Sequence, residues 1–267
     1  MNEKSFAPWR ENMRAEKMAL VLLAHQDDEL VFSPLIARLV ASGKAVRVVY
    51  LTNGVPDRSS PDGRNSESTR ALAKLGVPAS HIRFLGTELS VCDGQLLHRF
   101  TSTYRALLED CRSAGPFGDL FTLAWEGGHP DHDAAHVVAV KLARTWDADD
   151  RAWQLPFYRA ANLGPPWFSL FAPLSCNGAV QDLPSARQDA LLRAKMIRFY
   201  PSQWRTFIVL GPVIFWHAVL ATPVKLQRLQ IHRALERPTL RPLLYERRNG
   251  VSFAEFAERA NRFLEES

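Results

Sequence analysis

Two clusters of imidazoles and carboxylates hold the residues best suited to chemistry. The first is Ala24-His25-Gln26-Asp27-Asp28-Glu29, and the second is His129-Pro130-Asp131-His132-Asp133. Imidazole nitrogen and carboxylate oxygen suit a borderline cation such as zinc. Catalytic zinc commonly takes three protein ligands and leaves a fourth position to a water whose pKa falls to about 7. His25, one carboxylate of the Asp27 and Asp28 pair, and one of His129 and His132 make such a set. The remaining aspartate is left for acid–base work. The two clusters must then meet in space, so the elements that carry them decide the matter.

Each cluster follows an apolar run, Met18 to Leu23 in one case and Leu120 to Trp125 in the other, and both runs read as buried strands. Between them the pattern predicts a helix over Leu30 to Ser42, closed by Gly43, and a strand over Ala45 to Thr52. A polar loop, Val55 to Asn65, leads to a helix capped by Ser66 and ended by Gly76. A strand at Ile82 to Gly86, a loop through Asp93-Gly94 and a helix over Thr101 to Ala114 follow. The second cluster enters a helix over Ala134 to Trp146, with Pro130 suited to its start, and Trp153 to Tyr158 reads as one more strand. Such alternation predicts an α/β fold with a mostly parallel sheet and helices on both faces. In a parallel sheet the carboxyl ends of all strands share one edge, where ligands bind, and both clusters lie at such ends.

From Ala160 to Leu183 the composition turns to Pro, Gly and aromatics, and helices are expected at Asp189 to Phe199 and Ser252 to Glu265. The second of these carries the S-x-x-E capping box in Ser252 and Glu255. Trp167, Phe168, Phe171, Trp204, Phe207, Phe215 and Trp216 are read as core, with an apolar acceptor surface as the other reading.

At 46% hydrophobic and 23% charged residues, the composition is that of a globular protein. Cys92, Cys111 and Cys176 form no CxxC pattern, which argues against a disulfide framework or a thiolate zinc site and fits a reducing compartment. The net charge of +5 is spread along the chain, so no nucleic-acid partner is expected. Its densest group, Arg228, Arg233, Arg237, Arg241, Arg247 and Arg248, reads as a solvated basic face. The other reading is a surface that approaches substrate phosphates or an anionic membrane. Residues 1–17 lack the apolar core of a secretory signal, and Phe207 to Ala221 falls short of a spanning helix, so a soluble, cytoplasmic protein is expected.

The His-Gln-Asp-Asp-Glu cluster after a strand, with His-Pro-Asp-His about a hundred residues later, resembles the PIG-L/LmbE-like family of zinc-dependent de-N-acetylases. Arg64 and Glu67 ahead of Leu75-Gly76, the Asp93-Gly94 loop, and a fainter Lys195 with Ser202-Gln203 extend the likeness over residues 18 to 205. The resemblance implies a Rossmann-like sheet, and an N-terminal extension (1–17), a deacetylase domain (18–205) and a C-terminal extension of mixed structure (206–267) packed on it. It implies His25, Asp28 and His132 as metal ligands, Asp27 as general base, and a cationic His129 that polarises the amide oxygen and is oriented by Asp131. Arg64 and Asp93 would bind sugar hydroxyls or an attached anionic group. Glu29 is read as a helix-start residue or as one that fixes His25. The cofactor would be Zn2+, with Fe2+ or another divalent cation as alternatives.

The implied reaction is removal of the N-acetyl group from an N-acetylglucosamine-type amino sugar or glycoconjugate by attack of zinc-bound water. A membrane-surface or lipid-linked substrate stays open. The alternatives are a zinc amidase for another amide, such as a thiol conjugate or acyl amino sugar, and a catalytically idle carbohydrate-binding module. Gln26 stands where the family commonly has proline, and Gly127 where some members have a tyrosine that assists the oxyanion. His136 is read as a helix-face residue, and Trp125 and Glu126 as either sheet packing or pocket wall.

Overall fold

Strand β1, Met18–Leu23, lies inside a seven-stranded sheet, third from one edge, because nothing from Ala19 to Leu23 is polar and both of its faces are covered. The computed structural model describes residues 18–160, 168–183, 186–240 and 242–266; the expected N-terminal extension, Trp167 and Arg241 lie outside them. Following β1 are α1 (Glu29–Ala41), β2 (Val46–Tyr50), α2 (Asp62–Lys74), β3 (Ile82–Arg83), α3 (Phe100–Ala114), β4 (Phe117–Leu123) and α4 (Pro130–Trp146). The second half holds β5 (Ala152–Leu155), β6 (Tyr158–Ala160), β7 (Phe168–Leu170), β8 (Val180–Asp182), α5 (Ala186–Met196), α6 (Trp204–Val219), β9 (Lys225–Arg228) and α7 (Phe253–Glu265).

The main sheet runs β3-β2-β1-β4-β5-β9-β8, with β9 antiparallel to both neighbours and the first five strands parallel. The chain builds outward from β1 in both directions, so the strand order reverses there and a crevice opens beyond its carboxyl end. Leu23 pairs with Tyr50 and Leu22 with Thr122, which brings the turns after β1, β2 and β4 to one edge. The predicted α/β architecture is therefore present, and both chemical clusters arrive at the same place.

Several boundaries differ from the sequence reading, each for a local reason. Helix α2 starts at Asp62, before Ser66, because Ser60 Oγ accepts the Asp62 amide at 3.2 Å and Pro61 already holds a helical φ of −81°. The strand expected through Gly86 stops at Arg83, and Leu85–Glu88 forms one helical turn. Gly86 rests so closely on the Thr52 backbone that a Cβ would overlap it. Pro156, with no amide to donate, divides the strand expected over Trp153 to Tyr158 into β5 and β6.

Residues of the expected C-terminal extension are woven into this body. Strand β9 enters the main sheet between β5 and β8, and α7 lays Phe263 on Phe100 of α3 with ring centroids 4.7 Å apart. Helix α6 packs on α5, which packs on α1. No helix of the described residues is long and apolar enough to cross a membrane.

Candidate metal centre and acid–base site

The turn after β1 shapes the first half of the site through its own backbone. Asp28 Oδ2 accepts the amides of Ala24 at 3.1 Å and His25 at 2.7 Å, so this buried carboxylate is held by the loop it closes. Its other oxygen faces His132 Nε2 at 3.1 Å. His132 occupies the first turn of α4, and its Nε2 lies 3.3 Å from His25 Nδ1, which is 3.8 Å from Asp28 Oδ2. Tetrahedral ligands bonded to zinc at about 2.1 Å stand about 3.4 Å apart. The three donors match that spacing, and two imidazole nitrogens and a carboxylate are suitable ligand chemistry, so the residues fit a divalent cation.

Asp131, fully buried, supports this set from behind. Its Oδ2 accepts from His25 Nε2 at 3.0 Å and from the Gly94 amide at 2.6 Å, while Oδ1 accepts the Leu96 amide at 3.1 Å. The expectation that Asp131 orients His129 is thereby corrected: its carboxylate turns to His25, and only its backbone amide meets His129. His129 caps α4, and its Nδ1 accepts that amide at 3.2 Å. The ring proton is then on Nε2, which lies 3.5 Å from Asp93 Oδ1. Asp93 Oδ1 is also 3.2 Å from His25 Nε2. His25, Asp93, His129 and Asp131 thus form a second His/Asp cluster, in which the Asp131 oxygens are already engaged by backbone amides.

Asp27 stands beside the candidate metal set with a positive φ of 111°, an uncommon conformation for a residue with a side chain. The strain is held in place by Glu29, whose Oε2 accepts the Asp27 amide at 2.9 Å. Glu29 thus fixes Asp27 rather than His25, as the sequence reading had it. Arg64 Nη2 lies 3.2 Å from Asp27 Oδ1, and the same guanidinium donates to the carbonyls of Gln26 and Gly54. Arg64, expected as a substrate ligand, is therefore also a brace for the turn. Gln26 donates its side-chain amide to Asn65 Oδ1 at 2.6 Å and ties the turn to the start of α2. Glu67 reaches forward in the chain: its carboxylate accepts the Ser202 amide at 2.9 Å and Ser202 Oγ at 2.6 Å.

The environment separates the acids. Burial pushes the Asp27 carboxyl up to about 7, against the opposing pull of Arg64. Burial also pushes Asp28 up, but His132 and His25 together outweigh it and the carboxyl is held at about 2. Burial lowers His25 too, yet its contacts with Asp131 and Asp93 prevail and carry it well above the ordinary imidazole value. Burial and the neighbouring His25 push His129 down to about 4. A neutral N–H donor therefore replaces the cationic His129 expected from the sequence.

These groups form the floor of a cavity of about 320 Å3 whose walls include Phe157, Tyr158, Phe168, Phe207 and Leu210. Nothing in the sequence marked Tyr158 as pocket wall, whereas Phe168 and Phe207 carried an apolar acceptor surface as their second reading. The ring of Tyr158 sits edge-on to His132 with centroids 5.2 Å apart. Trp125 is packing: it is fully buried and donates its indole N–H to the Glu236 carbonyl at 2.8 Å. Glu126 accepts the Phe157 amide at 2.7 Å, and burial pushes it up to about 8. His136 Nδ1 lies 3.0 Å from the Leu123 carbonyl, which accounts for it as a structural residue.

Residues 20–143, which contain both clusters, match the family model described as PIG-L: GlcNAc-PI de-N-acetylase. This stretch, a little under half of the chain, is thus similar to a PIG-L domain. A curated relative, the 1D-myo-inositol 2-acetamido-2-deoxy-alpha-D-glucopyranoside deacetylase of Streptomyces avermitilis, is 31% identical over 183 residues. That match covers 57% of this chain and 58% of the relative, so the chain spans less than two thirds of that protein's length. Among solved structures, the zinc inhibited form of teicoplanin deacetylase Orf2 aligns with a TM-score of 0.53 at 16% identity, over 78% of this chain and 96% of the other. The N,N'-diacetylchitobiose deacetylase from Pyrococcus horikoshii, complexed with its inhibitor MPG, gives 0.51 at 17% identity over 84% and 88%. At such identities these two structures establish the shared fold.

Proposed function

We propose that this protein is a metal-dependent hydrolase that removes the N-acetyl group from an N-acetylglucosamine-type amino sugar or glycoconjugate. The observation that carries the reading is one cavity holding three converging donors, His25, Asp28 and His132, with Asp27 beside them and His129 Nε2 available as a donor. The relatives, deacetylases of 1D-myo-inositol 2-acetamido-2-deoxy-alpha-D-glucopyranoside, of teicoplanin and of N,N'-diacetylchitobiose, support the choice of reaction.

When bound, a divalent cation supplies Lewis-acid activation and a water of lowered pKa. His25, Asp28 and His132 hold it, and Asp131 keeps the His25 Nδ1 lone pair directed inward. Asp27, with its carboxyl near 7, takes the proton of the attacking water and passes it to the departing amine. His129 donates from Nε2 to the acetamide oxygen as charge gathers there. Water thus adds to the carbonyl carbon, the C–N bond breaks, and free amine and acetate leave. Arg64 favours the ionised form of Asp27 against burial, and Asp93 faces the cavity as a sugar-hydroxyl acceptor.

Zinc is our reading for the cation, and Fe2+ fits the same two-His, one-carboxylate set. We take residues 18–205 as the hydrolase unit, with 206–267 completing its sheet through β9. The three unpaired cysteines support a reducing, cytoplasmic setting. An idle binding module is disfavoured by a strained Asp27 next to a complete donor set, since binding alone requires neither. The test is acetate release from free, nucleotide-linked, lipid-linked and polymeric N-acetyl sugars with and without chelator. Chelator-sensitive release supports the proposal, and no release from any member with metal bound overturns it.

A further inference from the structure

Helix α6 is buried on one side and apolar on the other. Phe207, Leu210, Ile214 and Ala218 face the protein. On the outer side Trp204, Ile208, Val209, Phe215, Trp216 and Val219 are each between 52% and 65% exposed. At 3.6 residues per turn these six positions fall within an arc of about 140°. Arg205 is the single charged residue inside that arc. A solvated helix carries polar groups on its outer face, and contiguous apolar patches of this kind mark an interaction site.

The charge around the patch indicates what covers it. From Arg187 to Lys225 the chain contains one acid, Asp189, which is buried and bound by Arg38 at 2.8 Å through both carboxylate oxygens. Arg187, Lys195, Arg198 and Arg205 are exposed in the same stretch. The Arg205 guanidinium lies 5.3 Å from the ring centre of Trp204. Exposed aromatic and aliphatic groups in a stretch that carries exposed cations and no exposed acid match the boundary of an anionic lipid layer. A second copy of the helix would oppose Arg205 to a like charge with no acid in the arc to answer it. A helix of 16 residues is about 24 Å long, below the roughly 30 Å of a hydrocarbon core, so it lies along a bilayer rather than through it.

We propose that the outer face of α6 is a docking surface for an anionic lipid bilayer. Val209 belongs both to that face and to the cavity wall, so docking sets the cavity mouth at the lipid boundary. The inference stands on α6 alone and does not depend on the hydrolase reading.

The experiment is flotation of the full chain with vesicles of phosphatidylcholine alone or mixed with phosphatidylglycerol. Tryptophan emission is followed in parallel, and size-exclusion chromatography is run without lipid. Wild type is expected to float with the anionic vesicles, with a blue-shifted emission, and to bind phosphatidylcholine weakly. The pair Ile208→Ser and Phe215→Ser, both exposed and neither part of the cavity lining, is expected to lower partitioning about ten-fold or more with an unchanged circular dichroism spectrum. Arg205→Gln, a second variant with little bearing on folding, is expected to weaken binding to anionic vesicles only. Failure of wild type to float, or equal flotation of the paired variant, overturns the proposal. So does a lipid-free dimer that Ile208→Ser and Phe215→Ser convert to monomer, which would assign the face to a second copy.

Discussion

Asp131 Oδ2 stands 3.0 Å from His25 Nε2, although the two residues belong to different clusters and different strand ends. The bond keeps one His25 proton on Nε2, so that Nδ1, once it gives up its own proton, turns its lone pair toward His132 and Asp28. Asp131→Asn retains one acceptor but brings an N–H2 group toward the Gly94 and Leu96 amides, which are themselves donors. The expected result is a loss of metal affinity of about 10- to 100-fold. Equilibrium dialysis of the purified variant against a metal buffer measures it, and an unchanged affinity would remove Asp131 from the site.

Asp27→Ala is expected to reduce acetate release by about 10^2- to 10^4-fold while the bound metal persists, because Asp27 is not one of the three converging donors. Arg64→Gln tests how the base is tuned. Arg64 opposes the upward push of burial on Asp27, so its removal raises the carboxyl pKa. The acidic limb of kcat/KM should then move to higher pH, and a limb that stays in place would show that Asp27 is not the titrating base.

Metal binding should strengthen as pH rises. His25 is raised well above the ordinary imidazole value by Asp131 and Asp93, so near neutrality the cation must displace a proton from it. Asp28, held at about 2, is ionised throughout and adds no such dependence. Titration calorimetry in buffers of different ionisation enthalpy should report proton release on binding. Affinity that does not change between about pH 6 and pH 8 would contradict this.

Much of the site was legible because its signals are local. An apolar run followed by His and carboxylates identifies a strand end at β1, and repetition of that pattern after β4 brings the second cluster to the same edge. What stayed hidden depends on long-range partners. Gln26 looked like a mere departure until Asn65 came within 2.6 Å. Asp131 lies next to His129 in sequence, yet its side chain serves a residue more than a hundred positions away. Strand β9, Lys-Leu-Gln-Arg, has no β-branched residue and owes its place to pairing with β5 and β8. Helix α6 carries apolar residues around its whole circumference, so its periodicity could not reveal which side faces the core.

Glu67 and Ser202 join α2 to the segment that leads into α6. Glu67 is buried and accepts two hydrogen bonds from Ser202, while Gln203 lines the cavity next to it. Glu67→Ala leaves the Ser202 amide without its acceptor and is expected to destabilise the protein by about 1–2 kcal/mol in denaturant unfolding. Ser202→Ala removes only the hydroxyl contact and should cost less. A double-mutant cycle should therefore show coupling between the two. Because the freed segment forms part of the cavity wall and supplies none of the metal donors, KM should rise in Glu67→Ala while kcat changes little. A fall in kcat with KM unchanged would mean that Glu67 acts on the reacting groups rather than on the wall.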